Sequence, residues 1–211
     1  MVEVTGQIEA VRRRVGRRAV GGVDRHVLTL EQELPVTPED LWVALTAPRR
    51  LARWFLPVSG ALRAGGRFQL EGNAGGTIES CSPGSAFSAT WEFGGAVGRI
   101  AVTVAAADDG ARLTLEHETD ADDPTWAEHG PGATGVGWDL SLLGLALHLE
   151  PGGADDPDAW DGGDDGRWFV ELSAEAWRAA DVAGGTDTVQ ARARANRTVE
   201  AYTGSEDEDD G

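Results

Sequence analysis

Residues 136–149 read Val-Gly-Trp-Asp-Leu-Ser-Leu-Leu-Gly-Leu-Ala-Leu-His-Leu, the most hydrophobic run in the chain. At about 100° per residue, Trp138, Leu142, Leu145 and Leu149 fall on one line of a helix, and Val136, Leu140 and Leu147 on a second line nearly opposite. A helix apolar on two flanks is clasped by its surroundings rather than laid on a surface. At roughly 20 Å it is too short to cross a bilayer. Asp139 and Glu150 share a third line and are expected to face water, because burying unpaired carboxylates is costly. That places Ser141, Gly144 and His148 toward the rest of the fold, where the small residues would leave room and His148 would be the polar group at one end of the space.

Upstream, the pattern has period two. Gly and Pro turns at 65–66, 75–76, 83–84, 94–95 and 109–110 separate five short apolar-polar alternations, 67–71, 77–81, 86–93, 98–105 and 111–118. Regular spacing of this kind predicts an antiparallel meander. Phe87, Ala89, Trp91 and Phe93 share one face of their strand, and Leu113, Leu115 and His117 share one face of theirs. Before the meander, residues 26–34 alternate as a first strand. Thr37-Pro38-Glu39-Asp40 is a helix start, with a capping hydroxyl, proline at the first position and acids near the N-terminal dipole. Pro48 opens a second short helix with Leu51, Trp54 and Phe55 on its apolar side.

The flanks are less regular. Ile8, Val11 and Val15 predict a short N-terminal helix over 4–15 bearing Arg12, Arg13 and Arg14, and 16–22 reads as a connector. Residues 124–129 read as a helix or turn leading into the apolar run, 151–166 as an acidic loop, 173–183 and 186–202 as two helices, and 204–211 as a disordered acidic tail. The division is therefore an N-terminal extension (1–24), a main domain (25–150), the loop, a helical extension (167–203) and the tail. Apolar stripes through Trp177, Ala180, Val189 and Tyr202 predict that the extension docks on the main domain or on a second copy of the chain, a homodimer. The tryptophans of the less regular segments are read as pinning these helices.

The 211 residues carry a net charge of −18, and all eighteen basic residues are arginine. Such charge argues against nucleic acid and anionic lipid as partners. No window has the length of a membrane span and the N-terminus lacks an apolar leader, so a cytoplasmic protein is expected. Cys81 is the only cysteine, which excludes an intrachain disulfide and a thiolate cluster. It reads as a buried or partly buried structural thiol. His26, His117, His129 and His148 stand in no ligand spacing, and no metal or other cofactor is expected. Residues 72–76 are glycine-rich but join two strands, a hairpin rather than a phosphate cradle. An inward His117 reads as a hydrogen-bonded core histidine before a catalytic base.

Strand, two short helices, meander and long helix follow the order of the helix-grip fold. Leu41-Trp42-Val43-Ala44-Leu45-Thr46, Pro48 and Trp54-Phe55 resemble the opening signature of the family homologous to the activator of the heat-shock chaperone ATPase. Gly65-Gly66-Arg67-Phe68, Gly76-Thr77-Ile78-Glu79, Thr90-Trp91-Glu92-Phe93, 113–117 and Gly137-Trp138 resemble its later ones. The resemblance covers residues 25–150 and implies membership of the START-like (SRPBCC) superfamily. It further implies an α+β sheet gripping a long helix, with an apolar cavity between them. Since fold does not fix function, three readings follow. The first is binding of a small hydrophobic or amphipathic molecule, with Phe55, Trp91, His117, Ser141, Gly144 and His148 as contacts. The second is surface contact with a chaperone, as the family name implies. The third is a cyclase or hydrolase using His117 or His148 as base.

Overall fold

The computed structural model describes residues 4–152 and 164–204. It is an α+β fold built on one antiparallel sheet of eight strands: β1 (Val11–Val20), β2 (Val23–Leu34), β3 (Val58–Gly60), β4 (Arg67–Leu70), β5 (Gly75–Ser82), β6 (Ala86–Phe93), β7 (Ala96–Ala107) and β8 (Gly110–Asp120). Their order across the sheet is β1-β2-β8-β7-β6-β5-β4-β3. The meander is thus continuous from β3 to β8, and β2 returns to pair with β8, Leu30 opposite Leu115. The tightest turns carry positive-φ glycines, among them Gly94 at 58° and Gly95 at 85°, a conformation closed to most side chains.

Among the described residues seven helices accompany the sheet: α1 (Val4–Ala10), α2 (Pro38–Thr46), α3 (Pro48–Leu51), α4 (Pro124–His129), α5 (Gly132–Leu149), α6 (Asp164–Ala183) and α7 (Thr188–Thr203). The predicted cap is present, the Thr37 hydroxyl accepting from the Asp40 amide at 3.1 Å. Among the described residues no helix is long and apolar enough to cross a membrane. No residue of α5 is exposed. Val136, Leu142, Leu145 and Ala146 join Leu28, Leu30, Leu113 and Leu115 in the main core, while Leu143 packs with Phe169 of α6 and Ile8 of α1.

Three expectations are corrected. The N-terminal helix ends at Ala10, and Arg12–Arg14 with the supposed connector form β1. Val11, Arg13 and Val15 are its inward residues, so period two, not helical spacing, describes them. Asp139 is 1% exposed rather than facing water. It accepts from Arg13 Nε (2.9 and 3.2 Å, one to each carboxylate oxygen), Trp177 Nε1 (3.0 Å) and Ser173 Oγ. Burial pushes the Asp139 carboxyl above its ordinary value, and the four donor contacts that meet it from two other elements offset part of that desolvation penalty. Cys81 is exposed, not a structural core thiol.

The C-terminal helices dock on the main domain. Phe169, Ser173 and Trp177 of α6 are fully buried, and Arg194 of α7 pairs with buried Asp181 at 3.4 Å. Trp126 stacks on His26 at 4.0 Å, whereas Trp168 is exposed. Trp160, most of the acidic loop and the tail lie outside the described residues.

Candidate functional site

Strand alternation sends Phe87, Ala89 and Trp91 of β6, Ile100 and Val102 of β7, and Leu113 and Leu115 of β8 to the side of the sheet that α5 covers. Trp138, Ser141 and Leu142 of α5 face them, and Trp42, Leu45, Trp54 and Phe55 of the α2–α3 segment close the flank. These walls do not meet. They enclose a cavity of about 350 Å³, within the range of small-molecule sites. Among its lining residues only Arg63 and Cys81 are titratable, and both sit at the exposed rim with Leu62.

One end of the cavity is an aromatic wall. Trp138 lies 5.1 Å from Trp91 and 6.2 Å from Phe55, ring centre to ring centre. Its indole N–H donates to Nδ1 of His117 at 3.0 Å. Behind this wall a second, more open cleft of about 990 Å³ runs between the Gly94-Gly95 turn and the N-terminal half of α5. Phe55, Trp91, Trp138 and Ser141 border both spaces. His117 borders only the second. Burial pulls the His117 imidazole down to about 4, so the ring is neutral at neutral pH.

Phe55, Trp91 and Ser141 therefore stand where a cavity ligand would meet them, and His117 stands behind the partition. Gly144 and His148 line neither space, which corrects the expected layout. A Cβ on Gly144 would come within 2.7 Å of the Trp54 carbonyl oxygen; the glycine lets α5 approach the α3 segment and opens no room. His148 Nε2 accepts from Arg50 Nε at 2.9 Å, and Arg50 also pairs with Asp40 at 3.0 Å. This histidine fastens the end of α5 to α2 and α3.

Trp138 as a partition, and Arg63 and Cys81 as rim residues, were not visible as site residues. The alternation of β6 and β8 was enough to predict an apolar inner face, but not where facing walls stand apart. Among the described residues no cluster of His, Cys, Asp and Glu could hold a metal ion.

No curated protein matches the chain. Among solved structures, CalU16 from Micromonospora echinospora is similar in both its solution and crystal forms. The solution structure is 29% identical, with a TM-score of 0.72 over 83% of this chain and 97% of that one. The crystal structure is 28% identical, with a TM-score of 0.65 over 81% and 98%. A conserved protein of unknown function from Enterococcus faecalis, EF2215, shares the fold at 14% identity, with a TM-score of 0.60 over 85% of this chain and 95% of that one. Residues 35–150, over half of the chain, match the model of the family described as Activator of Hsp90 ATPase homolog 1-like protein. They hold α2, α3, six of the eight strands (β3–β8), α4 and the gripped helix α5, together with the residues that line both spaces: the chain belongs to the Activator of Hsp90 ATPase homolog 1-like family.

Proposed function

We propose that this protein binds a small hydrophobic or amphipathic molecule in the cavity between the sheet and α5. The observation that carries the reading is the cavity itself: apolar side chains from six strands and three helices converge on a space they leave unfilled. Close packing is the rule in protein interiors, and apolar cavities of this size are what small ligands fill. The absence of titratable side chains from the inner lining favours binding over turnover by a cyclase or hydrolase.

Naphthalene is a suitable probe, since Trp54, Trp91 and Trp138 line the cavity and report its entry by fluorescence. Saturable quenching is expected, together with a rise in Tm and, in native mass spectrometry, an apolar mass carried through purification. Ala89→Phe, which places a ring in the cavity, should abolish the quenching while the circular dichroism spectrum stays unchanged. An empty protein with no thermal shift across a broad apolar library would overturn the reading and return weight to a chaperone-contact role.

A further inference from the structure

The second cleft differs in chemistry from the cavity. His117, 5% exposed, points into it. Because Nδ1 accepts the Trp138 indole proton, the neutral ring carries its own proton on Nε2. Among the described residues no group accepts that proton. Two residues along the same face of β8, the buried Oγ1 of Thr119 also has no hydrogen-bond partner. Buried polar groups are normally satisfied, so the unmet Thr119 hydroxyl beside a histidine N–H that faces the same cleft marks a place where a polar ligand group finds both a donor and an unpartnered hydroxyl.

The rim adds a sign. Asp120, Asp122 and Asp123 border the cleft, and among the described residues no arginine lines it. Asp120 is paired with Arg25 at 2.9 Å, and Asp123 caps α4 through the Thr125 amide at 2.7 Å. Asp122 is exposed and has no ion pair among the described residues. A carboxylate or phosphate would meet like charge here, and an ammonium or a hydroxyl would not.

We propose that this cleft is a polar subsite that takes the hydroxyl- or ammonium-bearing end of an amphipathic ligand whose apolar part occupies the cavity, with Trp138 as the movable partition between them. The inference rests on the cavity reading given above. Arg63, on the far rim of the cavity, is the alternative seat for an anionic head, so an acid would bind in the opposite sense.

The test uses the full chain, isothermal titration and four probes: naphthalene, decanol, decylammonium and decanoate. Thr134→Trp fills the cleft from α5 without touching the cavity. It should weaken decanol and decylammonium by about tenfold or more, a loss of about 1.4 kcal/mol, and leave naphthalene unchanged. Arg63→Gln removes the competing cationic seat on an exposed loop. On that variant decylammonium should bind at least about tenfold tighter than decanoate. This comparison needs no change in the cleft and decides the matter even where Thr134→Trp does not fold. Equal affinities for the two heads on Arg63→Gln, or undiminished decanol and decylammonium binding to folded Thr134→Trp, would overturn the subsite. If naphthalene binds in either case, the cavity reading survives that failure. If naphthalene does not bind the wild type, the cavity reading and the subsite fall together.

Discussion

The two flanks of α5 are built from opposite materials for opposite ends. The flank toward α6 and β1 holds a buried carboxylate, Asp139, yet nothing is open there: Arg13, Ser173 and Trp177 use up its oxygens. A Cβ on Gly135 would sit 2.3 Å from the Trp177 ring. The flank toward the sheet is almost wholly apolar and is where space remains. A buried charge is often read as a sign of function. Here the charge closes the structure, and the uncharged side is the one shaped for a ligand.

If the closed flank is a structural tie, breaking it has the largest effect. Asp139→Asn leaves the Arg13 guanidinium buried (side chain 5% exposed) without its counter-charge. Unfolding in urea should show a loss of about 3–5 kcal/mol, and ligand affinity of the folded fraction should be unchanged. The double variant Arg13→Met/Asp139→Leu should regain much of that loss, because the stranded charge is gone. A small effect of Asp139→Asn would erase the contrast between the flanks.

On the open flank the corresponding sensitivity is to acid. His117 titrates at about 4 in the fold against an ordinary 6.5, because burial disfavours the imidazolium. The unfolded chain therefore binds the extra proton first. The stability owed to the neutral ring is complete above about pH 6.5 and falls through the interval down to about pH 4, by about 3 kcal/mol in all. His26, also pulled down by burial, adds to the same slope. Urea titrations across this interval should show the decline, and His117→Gln should flatten it.

Smaller effects sharpen the comparison. Gly135→Ala forces a methyl into the Trp177 ring and should cost about 1–3 kcal/mol. Ala89→Phe, a larger addition on the open flank, should change stability by less than about 1 kcal/mol, since a gap receives it. Equal costs for the two would mean that the cavity is as tightly constrained as the core. At the bottom of the scale, cutting the exposed Arg67–Glu92 pair, at 2.8 Å, by Arg67→Gln should leave the urea midpoint almost unchanged, and any shift should vanish in high salt.

Most of the architecture was legible because it depends on local patterns. The Thr37 cap, the Pro48 break and the Gly-marked turns each act within a few residues, and strand alternation in β6 and β8 fixes the inner face. What sequence reading missed depends on partners far away. Asp139 was assigned to water because its partner Arg13 is 126 residues distant. β1 was hidden for the same reason: with a buried arginine between Val11 and Val15, its inward face is not uniformly apolar, and the competing 3.6-residue spacing of Ile8, Val11 and Val15 looked stronger. The site shows the same division. Periodicity puts Phe55, Trp91 and Ser141 on the cavity side, where they line the space, whereas Gly144 does not line it, because a glycine that leaves space and a glycine that admits a neighbouring backbone are identical in one dimension.

The tie between Arg13 and Asp139 also sets a timetable. A chain made from its N-terminus presents β1 and β2 early, as a hairpin turned at Gly21-Gly22, but β2 waits for β8. Arg13 waits longer, for Asp139, and the carboxylate is not fully satisfied until Trp177 has also been made. Until then a growing chain carries a long, arginine-rich strand with an unpaired partner edge. Pairings so distant in sequence make for slow folding, on the millisecond-to-second scale. The arginines at 12–14, 17 and 18 of β1 put on that waiting edge the kind of charge that discourages strand-to-strand pairing between chains.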